Sequence, residues 1–177
     1  MIEVEQRGLL TEKEYAILRA KLQSAAIFLG NDNKYVEYWI YSDKLLKLIQ
    51  NNSKKNSVLS LKLGTIGNSN SREEYEIKLG LEDFSKLEKI ISNITAPDQI
   101  IKGTQKRENY KLDDVEIAIK WSEDWKYHFE LECLIMNDSQ REVASKKIQK
   151  IAELLKIKTM SPEEEKEFIN KIRASKK

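Results

Sequence analysis

The sequence has one cysteine and one histidine, and its apolar runs are too short to span a membrane. A single cysteine excludes a disulfide framework and a cysteine-based zinc site. A single histidine, His128, removes histidine-rich metal centres and leaves little scope for histidine-based nucleophile chemistry. A large basic excess is also missing. There are 31 lysines and arginines against 29 aspartates and glutamates, so the net charge is only +2. Chains that live by non-specific nucleic-acid binding carry more, so no long nucleic-acid footprint is expected. The first residues, Met1 to Glu5, lack the basic stretch and apolar core of a secretory signal. What remains is a 177-residue chain, 40% hydrophobic and 34% charged. That composition is expected of a globular protein with one domain over residues 1–177, in a reduced, cytoplasmic setting and without membrane contact.

Alternation and capping signals divide the chain. Residues 2–7 read as a strand, and Thr11 with Glu14 opens a helix to about Gln23 as a capping box. Gly30-Asn31-Asp32-Asn33 reads as a turn. Strands are predicted over 35–41, 44–50, 58–63 and 72–79, with a polar turn at 51–56 and a hairpin loop at 64–71. A helix follows over 82–93, then strands over 100–110, 115–120 and 127–133, with a loop from Trp121 to Trp125. Ser139 with Glu142 starts a helix to about Lys156, and Ser161-Pro162 starts a last helix fading near Arg173.

The strands carry the unusual feature. Three of them hold glutamate at alternate positions: Glu3 and Glu5, Glu74 and Glu76, Glu130 and Glu132. Such residues lie about 7 Å apart on one face. Cations fall on the same faces at Arg7, Lys62, Arg72 and Lys78, with Lys47 and Arg107 as further candidates. Apolar residues take the opposite faces, as in Leu59, Leu61 and Leu63 against Ser60 and Lys62. On a one-sided sheet these charges would be a solvated face. Turned inward in a closed barrel they would have to pair or bind something. Carboxylates hold hard divalent cations, and lysine and arginine match phosphate oxygens, so both together suit a polyphosphate with its metal. Cys133 lies on the face opposite the glutamates and reads as an inert, packed thiol. His128 shares the glutamate face near a strand start, where a surface position is the ordinary reading. Trp39, Trp121 and Trp125 read as core or rim packing, with stacking on a base as the functional alternative.

These motifs resemble the CYTH-domain proteins, the triphosphate tunnel metalloenzymes. Ile2-Glu3-Val4-Glu5-Gln6-Arg7 is similar to the Glu-x-Glu-x-Lys strand that opens the family. Leu59-Ser60-Leu61-Lys62 and then Arg72-Glu73-Glu74-Tyr75-Glu76 resemble its lysine strand and its Arg-x-Glu-x-Glu strand. Lys106-Arg107-Glu108-Asn109-Tyr110 resembles its Arg-x-x-Tyr strand, and Glu130-Leu131-Glu132 its closing Glu-x-Glu. The order is that of the family and nearly the whole chain is covered.

The resemblance implies an α+β fold, a closed eight-stranded antiparallel tunnel with helices outside, the C-terminal ones over about 139–173. It implies Mg²⁺ or Mn²⁺ on Glu3, Glu5, Glu74, Glu76, Glu130 and Glu132. It implies a triphosphate held by Arg7, Lys47, Lys62, Arg72, Arg107 and Lys120, with Glu5, Arg7 and Glu130 in the chemistry. The implied activity is hydrolysis of inorganic triphosphate, thiamine triphosphate or a related compound. Alternatives are a class IV adenylyl cyclase acting on ATP, an RNA 5′-triphosphatase, or a polyphosphate-binding module without catalysis. A homodimer is implied by analogy alone. Three departures stand out: Arg7 replaces the family's lysine, Ile49 replaces the second arginine of its Arg-x-Arg strand, and Lys120 sits where many members have an aspartate.

Overall fold

The computed structural model describes residues 2–64 and 71–176. Eight strands run in the order β1 (Ile2–Leu9), β2 (Ile27–Ile40), β3 (Lys44–Asn51), β4 (Asn56–Leu63), β5 (Ser71–Gly80), β6 (Gln99–Leu112), β7 (Val115–Ser122) and β8 (Lys126–Ile135). They close into an antiparallel barrel with neighbours β1-β5-β4-β3-β2-β6-β7-β8. Helices α1 (Glu12–Ala25), α2 (Phe84–Ile94), α3 (Arg141–Leu155) and α4 (Pro162–Ser175) pack outside. The fold is therefore the α+β tunnel expected from the motifs. The expected loop at 64–71 overlaps residues 65–70, which lie outside the described residues.

The main apolar core lies between the barrel and its helices, not inside the barrel. Leu18 and Leu22 of α1 and Ile148, Ile151 and Leu155 of α3 meet the outward residues Ile117, Ile119, Phe129, Leu131 and Cys133. Alternation thus buries both faces of β7 and β8: the outward set under helices, the inward set in the tunnel. Cys133 is buried on the helix side, as its position predicts. Helix α2 covers the opposite flank, where Phe84 meets Tyr35 at 5.8 Å. On that flank Glu37 is buried, and Lys102 at 2.7 Å and the Trp39 indole N–H at 3.2 Å satisfy it.

Local signals set the helix starts. Thr11 accepts from the Glu14 backbone N–H, and the Glu14 carboxylate accepts from the Thr11 N–H. Ser161 and Glu164 repeat this box ahead of Pro162 at the first position of α4. The box predicted at Ser139 does not form. A 3₁₀ turn at 138–140 leads into α3, whose cap residue Gln140 makes no side-chain cap bond. The turn predicted at residues 30–33 is also overturned. Those residues continue β2, because pairing with β6 outweighs local turn chemistry, and Gly30 (φ +119°) absorbs a register shift between Phe28 and Gly30. Likewise β7 runs on through Trp121 and Ser122, paired to β8.

One glycine is fixed by close approach. A Cβ on Gly8 would lie 2.4 Å from the Lys158 carbonyl oxygen and 2.4 Å from the Phe129 ring. The chain after α3 crosses β1 here, where the Met160 N–H donates to the Arg7 carbonyl at 2.7 Å. Gly8→Ala is expected to cost about 1–3 kcal/mol by overpacking. Urea unfolding checks this, and an unchanged midpoint would contradict the contact.

Candidate functional site

The alternating charges face inward. The tunnel forms a cavity of about 640 Å³ into which all three glutamate pairs project. Two centres organise the charged belt. Lys62, 3% exposed, lies 3.0 Å from Glu74 and 3.7 Å from Glu5 and is also paired to Glu3. Glu74 lies 3.3 Å from Lys47 and accepts from the Ser60 hydroxyl. Arg7 reaches Glu5 at 2.7 Å and Glu130 at 2.9 Å, and its third nitrogen binds Glu165. Glu130 also pairs with Lys120 and lies 3.9 Å from Arg107. On β4 the polar face, Ser60 and Lys62, is the buried one, while Leu63 is partly exposed outside. The tunnel inverts the usual sheet arrangement there.

Burial and pairing set the protonation states. Burial pushes Glu130 up, yet Lys120, Arg7 and Arg107 together hold it well below the usual carboxylate range. Against the same push, Lys47 and Lys62 hold Glu74 at about 2. Burial draws Lys120 down to about 7, Glu130 opposing and Arg107 adding to the fall. Burial and then Lys120 lower His128 to about 4, so it is neutral at pH 7. Glu132 goes the other way: burial, Glu3 and Glu130 raise it to about 8. Glu3 is raised as well, by burial and then by Glu5. At about 8, Glu132 is protonated at pH 7 beside Glu3.

That pair bears on metal binding. Among the described residues no three histidine, cysteine, aspartate or glutamate side chains stand as a ready metal cage. Glu5, Glu74 and Glu130 are taken up by cations. Glu3 is held by Lys62 as well, whereas Glu132 makes no ion pair among the described residues, so a divalent cation would take Glu132 together with a Glu3 shared with Lys62. Mg²⁺ commonly takes one or two carboxylates, with waters and substrate phosphates completing its shell. The donor set fits that mode and not a closed six-ligand protein site.

The two ends of the tunnel differ. Helix α4 lies across one end: Ile169, Ile172 and Arg173 line the cavity, and Phe168 packs on Trp125 at 4.9 Å. Trp125 packs in turn on His128 at 5.3 Å, so His128 is a buried tunnel residue and the surface reading is corrected. Towards the other end stand Glu76, Glu116, Lys34 and Lys54. Asp32 there accepts from Asn51 at 2.9 Å and Asn109 at 3.0 Å, with Lys54 at 3.1 Å and Lys34 at 3.7 Å.

The structure thus brings Glu3, Glu5, Arg7, Lys47, Lys62, Glu74, Arg107, Lys120, Glu130 and Glu132 to one belt. Glu76 stands apart, exposed towards the end with Glu116. The Arg72 side chain lies outside the described residues. Sequence reading missed Glu165 and Asp32. Glu165 was one of three consecutive acids in a helix first turn, and Asp32 sat in the mistaken turn.

No family model and no curated protein sequence matches this chain. Solved structures do. PH1819 of Pyrococcus horikoshii superposes with a TM-score of 0.75 at 20% identity, over 90% of this chain and 93% of its own. A proposed adenylate cyclase of Vibrio parahaemolyticus gives 0.69 at 10% identity, over 91% and 94%. HpAC1 of Hippeastrum, a proposed adenylyl cyclase with a dominant triphosphatase activity, gives 0.63 at 14% identity, over 89% of each chain. These likenesses are of fold: a closed eight-stranded tunnel with helices outside, the architecture that the CYTH resemblance implied. Among the described residues of this tunnel protein, no helix is long and apolar enough to cross a membrane.

Two outcomes follow from the pairing. Lys62→Met strands Glu3, Glu5 and Glu74, and is expected to destabilise the tunnel protein by roughly 3–5 kcal/mol near neutral pH. Chemical unfolding tests this, and a loss under 1 kcal/mol would contradict it. Burial pushes Asp32 up, but Asn51, Lys34 and Lys54 hold it at about 2, below its ordinary 3.8. Its folded pKa is depressed, so its contribution, on the order of 2 kcal/mol, is present above about pH 4 and lost as pH falls towards 2. The stability gap between wild type and Asp32→Asn is expected to close over that window. A gap independent of pH would contradict the assignment.

Proposed function

We propose that the protein hydrolyses a triphosphate-bearing compound inside the tunnel with Mg²⁺ or Mn²⁺. The observation that carries this reading is the inward belt in which buried and half-buried lysines and arginines alternate with carboxylates. Such a belt meets both needs of a metal–triphosphate: cations for its oxygens and carboxylates for its counter-ion. Lys47, Lys62, Arg107 and Lys120 hold the phosphates, with Arg72 as a further candidate. Arg7, with each guanidinium nitrogen already on a carboxylate, orients Glu5 and Glu130 and touches phosphate only where one of them yields.

Glu3 and Glu132 would hold the metal, which supplies charge neutralisation at the phosphoryl oxygens. Glu5 and Glu130 orient the attacking water on the acidic side of the belt. Water is excluded at one end by α4, and substrate enters from the end with Glu76 and Glu116. The dominant triphosphatase activity of HpAC1, a protein of the same fold, supports this reading over the cyclase.

Metal-dependent phosphate release from triphosphates tests the proposal. Activity is expected with Mg²⁺ or Mn²⁺, to vanish with chelator, and to fall at least 100-fold in Glu3→Gln. Cyclic AMP and pyrophosphate from ATP in place of phosphate would transfer the assignment to the cyclase. Tight triphosphate binding without turnover would leave a binding module.

A further inference from the structure

Helices cover much of the outer barrel, and one stretch stays open. Helices α1 and α3 bury the outer faces of β7 and β8, and α2 packs over β3. Among the described residues the outer face of β5 and the facing end of β4 have no such cover. Tyr75 is 54% and Ile77 59% exposed there, with Leu63 exposed beside them. Their neighbours across the ladder are apolar too. Leu46 pairs to Leu61 and Leu61 to Tyr75, while Leu48 pairs to Leu59 and Leu59 to Ile77. All of these alternate with the inward Lys47, Ser60, Lys62 and Glu74, so they share the outer face. The flank of α2 extends the patch. Glu88 reaches Lys102 of β6, and helical spacing turns Ile90 and Ile94 to the other flank, on the β4 side, where both are exposed.

Single exposed apolar side chains are ordinary, but a contiguous patch with a charged rim marks an interaction surface. Three strands about 4.8 Å apart, three outward rows about 7 Å apart and one helix flank span on the order of 500 Å². That is less than the roughly 800 Å² a side of a standard stable complex and falls in the smaller, transient class. The rim charges sit at opposite edges. Lys44, on the β3 edge, pairs to Leu63. Glu73, on the β5 edge, precedes the Glu74 that pairs to Lys62, so it stands level with Leu63. Lys44 lies 3.6 Å from the exposed Asp43 and over the Tyr41 ring, and Glu73 accepts from the Tyr75 hydroxyl. With β4 between them, Lys44 and Glu73 are about 10 Å apart and do not pair within the chain.

We propose that the outer face of β4 and β5, flanked by α2, docks a second copy of this chain in a weak two-fold dimer. A two-fold axis lying along β4 exchanges the β3 and β5 edges of the patch. It sets Lys44 opposite Glu73 of the second copy and Glu73 opposite Lys44 of the second copy. Leu61 meets its own counterpart near the axis, and Leu46 faces Tyr75 of the second copy in an aligned sheet-on-sheet packing. The patch is thus its own complement: one cationic edge, one anionic edge and an apolar centre, completed by the same patch turned over. The charged belt lies on the inner face of these strands, so the inference does not depend on the triphosphate reading.

Sedimentation equilibrium of the full chain tests this. The mean mass is expected to rise with concentration from one chain towards two, with a Kd on the order of 10–100 µM, as suits an interface of this size. Ile77→Lys is expected to weaken the dimer at least tenfold, and melting curves confirm that each variant folds. Lys44→Glu and Glu73→Lys are each expected to weaken it about fivefold, since each sets two like-charge contacts across the axis. The double exchange is expected to restore the wild-type Kd within about twofold, because it reverses both charges of every contact between copies. These exposed edge substitutions keep the test open should Ile77→Lys fail to fold. A chain that stays monomeric at several hundred micromolar would overturn the inference and leave the face to a different partner. A dimer indifferent to Ile77→Lys, or a double exchange no better than the single ones, would overturn it by placing the interface elsewhere. None of these outcomes bears on the proposed hydrolase.

Discussion

The pairing of buried lysine and arginine with buried glutamate inside the barrel is the constraint on which the rest of the structure depends. An unpaired ion taken out of water costs several kcal/mol. Lys62 is therefore surrounded by Glu3, Glu5 and Glu74, and Arg7 by Glu5, Glu130 and Glu165. Each group serves more than one partner, so the belt behaves as a network and not as separate bridges. The pairing also explains why α4 is more than a cover. It delivers Glu165 from outside the barrel to the last nitrogen of Arg7, and its backbone approach is fixed by the Met160 N–H on the Arg7 carbonyl.

A charged interior leaves the barrel without a core of its own, so the apolar burial that stabilises the fold has moved outward. Leu18, Leu22, Ile148 and Leu155 cover the outer faces of β7 and β8, while the inner faces of the same strands carry Lys120, His128 and Glu130. Stability and function are thus assigned to opposite faces of each strand by the two-residue period. The exception is the β3-β2-β6 wall, where apolar residues face the cavity as well. Even there Lys47, Asp32 and Arg107 keep charged partners.

Much of this was legible in the sequence, because a tunnel doubles the pattern that strands already show. Glu3 with Glu5 and Glu130 with Glu132 marked the inward faces, and the alternating Val115, Ile117 and Ile119 marked an outward one. Alternation by itself did not settle the inversion at β4, since it fixes which residues share a face but not which face is buried, and it was the family resemblance that placed Lys62 inward. Asp32 was hidden because Gly30-Asn31-Asp32-Asn33 has every local mark of a turn, and only the long ladder between β2 and β6 overrides it. Glu165 was hidden because nothing local distinguishes it from Glu163 and Glu164, both of which stay exposed. The crowding of Glu3 against Glu132 needed the register of β1 on β8, which places Glu5 opposite Glu132 and Glu3 one step along.

The central claim is that this belt is a binding site for a triphosphate chain and not a self-satisfied ion-pair lattice. A thermal-shift titration with inorganic triphosphate and Mg²⁺, run beside orthophosphate at equal ionic strength, tests it most directly, because a ligand that binds only the folded state raises its stability by RT ln(1 + [L]/Kd). The expected result is a melting temperature that climbs with triphosphate concentration and barely responds to orthophosphate. A melting temperature indifferent to both, or equally sensitive to both, would contradict the account.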